Sequence, residues 1–336
     1  METTQISLEE WRKALPDSGF EVFHAPGALD ALADHAPGDL RLYAGKKGQQ
    51  VVGLFPVFVE ERAVGTVVTS PPPGFGVPRL GPLVTPASPK RRKREKVNAA
   101  FAEGVLDAVN ADERFTLFRT ICPTSYPDPR PYVWSELDLD TAFTYHLDID
   151  EDPDEFLTNC SKSLRREIRD ARDAGVSVTA STDEDDVRRV FEQTQERYGE
   201  QDRGFSLPWP YVRDLTRNLA TEDRCRAYVA RSPDGEFLSG VVALYSNDAA
   251  YFWLGGARSS FDGTSVNSLI HWHIVEDIAA GEPRESVSTY DLMGANTERL
   301  CRYKSKFGAS LRPYYVLESG GAGMRAAKTA YRLVRG

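Results

Sequence analysis

Two ionisable residues near the end of the sequence have types and positions suited to chemistry at a strand end. Asp291 lies in a predicted strand, residues 286–292, three residues before Gly294. Its carboxylate can orient or deprotonate an attacking amine, or it can cap the next turn or pair with Lys304 or Arg302. Lys304, in a short predicted helix, can hold a phosphate or carboxylate, stabilise a developing oxyanion, or simply be a surface cation. Asp291 and Lys304 are our candidate catalytic residues.

A basic helix is predicted within residues 162–176. At 100° per residue, one face carries Leu164, Ile168 and Ala171. A second face carries Arg165, Arg169 and Arg172. Because an arginine can hold a phosphate through two parallel hydrogen bonds, we predict substrate binding by Arg165, Arg166 and Arg169. The alternative is a solvated outer face.

Aromatic and histidine side chains in the last third have competing interpretations. Tyr251 and Trp253, on a predicted strand, can line a substrate cleft, although aromatic residues on strands usually lie in the core. His271 and His273 lie two residues apart on a predicted helix, so they diverge by about 200° and cannot share one metal ion. We therefore predict packing roles for the histidines and no metal site.

Two segments of the first half are candidate binding elements. Residues 71–81 contain four prolines and three glycines, which excludes a helix or a central strand. This stiff loop is either one wall of an acceptor groove, with Phe75 and Arg79 facing substrate, or a plain connector. Residues 90–96 hold six cations in seven positions at the start of a predicted helix. They either contact phosphates or form a solvated helix face.

The elements that position these residues follow from the apolar pattern. Residues 227–230, 238–245 and 250–255 read as antiparallel strands, the first two joined by the turn sequence SPDG. Residues 266–279 have helical spacing, with a Ser/Thr cap predicted at the start. A strand at 286–292, a short helix at 297–306 and a strand at 311–317 complete the predicted fold, with Lys306 pointing into solvent.

The segment YDLMGA at residues 290–295, followed by YKSKFG at residues 303–308, resembles the "YDxxG…FKxxFG" ending of the FemAB-like branch of the GNAT acyltransferase superfamily. Residues 164–176, LRREIRDARDAGV, are similar to the basic helix of that branch, "LRRxIRRAxxxGV". This resemblance covers about residues 145–318. It implies a substrate-binding or catalytic role for Lys304 and places the basic helix beside the acceptor groove.

The resemblance also implies two tandem GNAT-like halves, and an internal repeat points the same way. Gly48 and Gly53 stand five residues apart between predicted strands, as do Gly235 and Gly240. We predict an α/β (α+β) fold in which each half is a mixed, mostly antiparallel sheet flanked by helices. The predicted domains are residues 1–144 and 145–318, each GNAT-like, followed by a basic helical tail at 319–336.

Composition narrows the class of protein. The chain has 336 residues, 41% of them hydrophobic and 27% charged, with a net charge of −9. This charge disfavours binding to DNA. The four cysteines form no CxxC pair, and neither a membrane-spanning run nor a signal peptide is evident. We expect a cytoplasmic protein with reduced thiols.

The predicted function is transfer of an acetyl or aminoacyl group from an activated donor to an amine of a peptide-like or cell-envelope precursor. The GNAT phosphate loop, Q/R-x-x-G-x-G/A, is missing from residues 257–263. Acyl-CoA is slightly favoured as donor because the chain is acidic and lacks a long helical arm. The alternatives are an enzyme dependent on aminoacyl-tRNA, as the resemblance allows, and a catalytically silent GNAT-like binding protein.

Overall fold

The computed structural model describes residues 1–113, 115–149, 153–201 and 204–320. The helices are α1 Leu8–Ala14, α2 Pro26–His35, α3 Arg91–Ala108, α4 Arg130–Trp134, α5 Pro153–Asn159, α6 Lys162–Asp173, α7 Glu184–Gly199, α8 Trp209–Ala220, α9 Asn267–Ala279 and α10 Glu298–Lys304. Short 3-10 helices span Val22–His24 and Ser305–Phe307. The strands are β1 Glu2–Ile6, β2 Asp39–Lys47, β3 Gln50–Arg62, β4 Gly65–Ser70, β5 Leu83–Val84, β6 Thr116–Ile121, β7 Leu137–Asp148, β8 Ser177–Ser181, β9 Cys225–Arg231, β10 Phe237–Tyr245, β11 Ala249–Gly255, β12 Ser260–Phe261, β13 Thr264–Ser265, β14 Thr289–Asp291 and β15 Ser310–Ser319. All but the first two residues of the predicted C-terminal tail lie outside the described residues.

The chain forms two compact units. Unit 1 comprises Met1–Pro26, Ala33–Ala142 and the chain from Pro313 onward, and unit 2 comprises Gly27–Leu32 and Phe143–Arg312. The main division lies two residues from the boundary predicted between residues 144 and 145. Residues 313–318, which the prediction gave to the second domain, fall in unit 1. The two domains as independent folding bodies stay a prediction.

The sheet of unit 2 has the order β8, β9, β10, β11, β14, β7. Every neighbouring pair in it is antiparallel except β11 and β14, which run parallel. A parallel pair needs a crossover connection, and α9 lies in the chain between these two strands. The strands predicted at 227–230, 238–245 and 250–255 are confirmed as β9, β10 and β11.

The sheet of unit 1 repeats this pattern with different strands. Its order is β1, β2, β3, β4, β6, β15, and β5 pairs with β3. Again one pair is parallel, β4 with β6, and the others are antiparallel. Here α3 lies between the parallel strands in the chain. The predicted fold of two GNAT-like halves, each with a mostly antiparallel sheet flanked by helices, is confirmed.

The glycines of the internal repeat play the same structural roles in both units. A Cβ on Gly53 would lie 2.5 Å from the ring of Phe101 on α3, and one on Gly240 would lie 2.3 Å from the side chain of Val190 on α7. Each glycine therefore lets a helix pack directly on a strand. The other member of each pair is a turn residue with positive φ, 64° at Gly48 and 83° at residue 235.

The basic helix is amphipathic as predicted. In α6, Leu164, Ile168 and Ala171 are buried in a core that also includes apolar residues of α9 and of the central strands. Burial of each of the two larger side chains stabilises the fold by about 2 kcal/mol. Ser161 caps the helix by accepting a hydrogen bond from the backbone N–H of Leu164 at 3.2 Å. Within the described residues, no helix combines the length and the apolar character needed to cross a membrane.

Candidate functional site

The parallel strands β11 and β14 separate soon after they meet. They pair only from Ala249 with Thr289 to Tyr251 with Asp291. Strand β11 continues to residue 255, whereas the chain after Asp291 turns away through Met293, which has a φ of 55°. A non-glycine residue in this left-handed region is strained. We call the resulting opening, between β11 beyond Tyr251 and the loop 292–297, the fork.

The side chain of Lys304 bridges the fork. It is buried, with 6% of its surface exposed, and its Nζ donates hydrogen bonds to the backbone carbonyls of Met293 and Gly294 on the loop side. On the β11 side, Nζ lies 5.6 Å from the centre of the Phe252 ring, within cation–π range. Burial lowers the pKa of Lys304 to about 8, while the nearby charge of Asp291 acts in the opposite direction.

Asp291 is fully buried at the base of the fork. Its Oδ1 accepts hydrogen bonds from the hydroxyl of Thr144 at 2.5 Å and from the backbone N–H of Met293 at 2.7 Å. The ring Nε2 of His146 lies 3.3 Å from Oδ2. The carboxylate thus holds the start of the loop that supplies the acceptors for Lys304.

Thr144 and His146 were not recognised from the sequence. They reach Asp291 because β7 pairs antiparallel with β14, with His146 directly opposite Asp291. In the sequence the two strands are about 145 residues apart, and their local pattern carries no sign of this register. The side chain of His146 is 15% exposed, whereas Thr144 and Asp291 are fully buried.

His271 belongs to the core behind Lys304. Its Nδ1 lies 2.8 Å from the hydroxyl of Tyr290, and its ring packs edge-on against Phe252 with centroids 4.6 Å apart. Burial lowers the pKa of His271 to about 3, so the ring is neutral at physiological pH. His273 points elsewhere, with its ring 6.0 Å from that of Tyr228. In the described ranges no group of three His, Cys, Asp or Glu side chains is placed to hold a metal ion.

Phe252 is the aromatic residue of β11 that lies next to Lys304. It stands between Tyr251 and Trp253, the two aromatic residues predicted to bind substrate. Tyr251 and Trp253 are buried on the other face of β11, where the Trp253 ring meets Tyr211 of α8 at 6.5 Å. Side chains alternate between the faces of a strand, so a shift of one residue changes the face. The predicted roles of Tyr251 and Trp253 in substrate binding stay predictions, and Phe252 is the residue at the fork.

The arginines of α6 lie on its solvent side. Arg166 and Arg169 are 75% and 67% exposed, and both lie within ion-pair distance of Asp170. Arg165 is half-buried and sufficiently near the thiol of Cys160 to affect its pKa, although burial dominates and raises that pKa to about 11. The three arginines therefore remain candidate contacts for an anionic substrate.

The start of α9 differs from the prediction. Its N-cap is Val266, which makes no side-chain cap, so the predicted Ser/Thr cap is wrong. Instead, Ser268 in the first turn donates its hydroxyl to Glu167 of α6 at 2.5 Å. Lys306, predicted to point into solvent, pairs with the same carboxylate at 3.0 Å. The positive end of the α9 dipole thus has a carboxylate beside it already.

In unit 1, Arg79 is buried. Its guanidinium forms two hydrogen bonds to the Glu21 carboxylate, at 2.9 and 3.1 Å, and lies 5.2 Å from the centre of the Tyr314 ring. Phe75, in the same loop, is half-buried. The guanidinium faces inward to this ion pair, which fixes the proline-rich loop. Its predicted contact with substrate therefore requires a rearrangement of the loop.

A comparison with protein families identifies the class of this protein. Residues 158–305 match the family model described as an acetyltransferase (GNAT) domain. The chain therefore carries a GNAT-type domain and is an acyltransferase. No curated protein sequence gives a match.

Solved structures extend the comparison to the whole chain. The crystal structure of FemX is 13% identical, with a TM-score of 0.69 over 100% of both chains. The C-terminal domain of a putative lysylphosphatidylglycerol synthetase from Agrobacterium fabrum is 11% identical, with a TM-score of 0.57 over 98% of both chains. A tandem GNAT protein from the clavulanic acid biosynthesis pathway is 15% identical, with a TM-score of 0.52 over 96% of this chain and 99% of that one. These likenesses concern the fold, and they agree with the GNAT-type domain that the family model identifies.

Proposed function

We propose that this protein transfers an acyl or aminoacyl group from an activated donor to an amine of a peptide-like or cell-envelope precursor, and that the reaction takes place in the fork. The observation that carries this proposal is the position of Lys304. It places a buried cation between two separating strands, next to an edge of β11 that β14 no longer covers. A buried positive charge beside backbone amides suits a reaction that develops negative charge on a carbonyl oxygen.

The proposed chemistry uses the remaining hydrogen of Lys304. An ammonium group has three N–H donors, and two are directed at the carbonyls of Met293 and Gly294. In the reaction, the amine nitrogen bonds to the acyl carbon, the bond to the leaving oxygen or sulfur breaks, and the amine proton passes to the leaving group. The third N–H of Lys304, together with β11 amides beyond Tyr251, then stabilises the oxyanion.

Asp291 has a positioning role in this proposal. Its two firm hydrogen bonds, from Thr144 and from the Met293 N–H, fix the loop that orients Lys304. The carboxylate is fully buried, which suits this positioning role. The exposed arginines Arg166 and Arg169, with Arg165, would hold an anionic part of the acceptor or of the donor's carrier.

A second candidate donor is aminoacyl-tRNA, and Glu167 favours it over acyl-CoA. A helix N-terminus attracts phosphates through its unpaired N–H groups and its dipole. At α9, the Glu167 carboxylate pairs with Lys306 and accepts a hydrogen bond from Ser268 in the first turn, so it already occupies the position that a pyrophosphate would take. A donor whose phosphates lie elsewhere does not compete with this carboxylate.

The test compares two lysines that are two residues apart. Purified wild-type protein, Lys304→Met and Lys306→Met are assayed for transfer from labelled acyl-CoA and from charged tRNA to amine acceptors. We expect Lys304→Met to lower kcat by about 100- to 1000-fold with little change in KM, and Lys306→Met to stay within about threefold of wild type.

Three outcomes would contradict the proposal. A folded Lys304→Met variant with wild-type kcat would exclude the fork as the reaction site. Equal losses in both lysine variants would indicate a general charge effect. Thermal stabilisation by a donor without any transfer would favour a silent binding protein. Activity that depends on charged tRNA and weakens steeply with salt would identify the second donor.

A further inference from the structure

A cationic surface with exposed apolar side chains lies in unit 1, within residues 33–142, and contains none of the residues that form the fork. It consists of the basic run at the start of α3 and the end of α4. We call it the basic–aromatic patch and define it by Lys90, Arg91, Arg92, Lys93, Arg94, Lys96, Arg130, Val133 and Trp134. All six cations of the run are exposed, as are Val133, at 42%, and Trp134, at 66%.

A chain of contacts joins the two helices of the patch. Glu95 accepts hydrogen bonds from Arg91 at 2.9 Å and from Arg130 at 2.8 Å. Arg130 also pairs with Asp128 at 2.7 Å, and its guanidinium lies 5.6 Å from the centre of the Trp134 ring. These hydrogen bonds and charges lower the pKa values of Glu95 and Asp128. The exposed indole is thus held beside the basic run.

The remaining cations of the run are not neutralised. Arg92, Lys93, Arg94 and Lys96 form no ion pair within the part of the chain that the structure describes, whereas both nearby carboxylates are already paired. Positive charges at a helix N-terminus also oppose the helix dipole, and Lys90, the N-cap of α3, makes no side-chain cap. The patch therefore carries a local electrostatic cost that an external layer of negative charge would relieve.

We propose that the basic–aromatic patch docks this protein on the surface of an anionic phospholipid membrane. The cations would lie among the lipid phosphates, and Trp134 and Val133 would enter the boundary between headgroups and acyl chains. One observation favours a lipid surface over a nucleic acid. The exposed valine beside the exposed tryptophan adds apolar surface that a phosphate backbone does not use.

The experiment measures binding to vesicles of phosphatidylcholine with and without phosphatidylglycerol. The triple variant Arg92→Ser, Lys93→Ser, Arg94→Ser is compared with a control that removes three exposed cations elsewhere in unit 1, Arg12→Ser, Lys13→Ser, Lys47→Ser. We expect wild type and the control to bind phosphatidylglycerol vesicles alike and the patch variant to bind about 100-fold more weakly. The patch variant should fold at least as well, because it loses charges that oppose the α3 dipole.

Tryptophan fluorescence gives a second readout. Trp134 is exposed, whereas Trp11, Trp253 and Trp272 are buried, so insertion should shift the emission to shorter wavelength, and Trp134→Phe should remove most of that shift. Trp134→Ala should weaken binding by about tenfold or more. The proposal would be overturned if wild type bound pure phosphatidylcholine vesicles as tightly as vesicles with phosphatidylglycerol, or if both triple variants lost the same amount of vesicle binding. It would also be overturned if the patch variant lost binding to RNA but kept binding to vesicles. These results do not depend on whether the fork performs transfer.

Discussion

Replacement of Lys304 by methionine should change how the stability of the protein depends on pH. Burial lowers the pKa of Lys304 from its ordinary 10.5 to about 8. Between these values the unfolded chain binds the proton more tightly than the folded protein does, so the wild type gains stability as the pH rises through this window. A shift of this size corresponds to about 3 kcal/mol in total. Methionine keeps the length of the side chain but has no charge, so Lys304→Met lacks this gain.

The magnitude follows from the two pKa values. From about pH 7.5 to about pH 10, the linkage relation predicts that wild type gains about 2 kcal/mol in the free energy of unfolding relative to Lys304→Met. Urea denaturation at each pH measures this difference, and titrations common to both proteins cancel. Lys306→Met is the control, because Lys306 is 31% exposed and lies in a surface ion pair, and it should follow the wild type.

The reasoning would be refuted by a pH response of Lys304→Met within about 0.5 kcal/mol of the wild-type response. Such a result would mean that the lysine is hydrated in the folded protein and does not bridge the fork. The reasoning would also fail if the wild type lost stability relative to Lys304→Met as the pH rises, because the difference in unfolding free energy would then change in the opposite direction. It would mean that hydrogen bonds to the loop carbonyls and the charge of Asp291 outweigh burial.

Two further predictions concern unit 1. Glu21→Gln leaves the buried guanidinium of Arg79 without its carboxylate, and urea denaturation should show a loss of about 3–5 kcal/mol in the free energy of unfolding. The same change at exposed Glu9 is the control and should cost less than about 0.5 kcal/mol. Similar losses at both sites would count against the ion pair. Gly53→Ala forces a Cβ to within 2.5 Å of the Phe101 ring and should cost about 1–3 kcal/mol. In the double variant Gly53→Ala, Phe101→Leu, part of the stability lost in Gly53→Ala should return, whereas purely additive losses would disprove the close packing.

Much of the fold was predictable because its strands, turns and helices are specified by patterns within short stretches of sequence. The antiparallel run from β9 to β11 follows from apolar stretches separated by turn residues, and α6 follows from its 3.6-residue periodicity. The spacing of Gly48 with Gly53, and of Gly235 with Gly240, indicated a repeat before the sheets were known. The structure supplies the reason, since one glycine of each pair makes a turn and the other admits a helix.

The composition of the candidate site was predictable only in part. Asp291 and Lys304 stood out because a turn glycine and a recognisable motif lie beside them. Phe252, Thr144 and His146 did not, because their places depend on which strands pair and in what register. For the same reason, the ion pair between Arg79 and Glu21, 58 residues apart, was not foreseen in a loop that the sequence left as either a groove wall or a plain connector.

The sequence by itself determined the elements, the repeat and the two ionisable residues at the fork, because turn chemistry, periodicity and motif spacing act over short stretches of chain. Tertiary structure decided the environment of those residues. It buried Lys304 and thereby lowered its pKa. It also placed hydrogen-bond partners from β7 next to Asp291 and the Glu167 carboxylate next to the start of α9. Desolvation and pairing arise from neighbours that are distant in the chain, so the chemical state of the site exists only once the chain has folded.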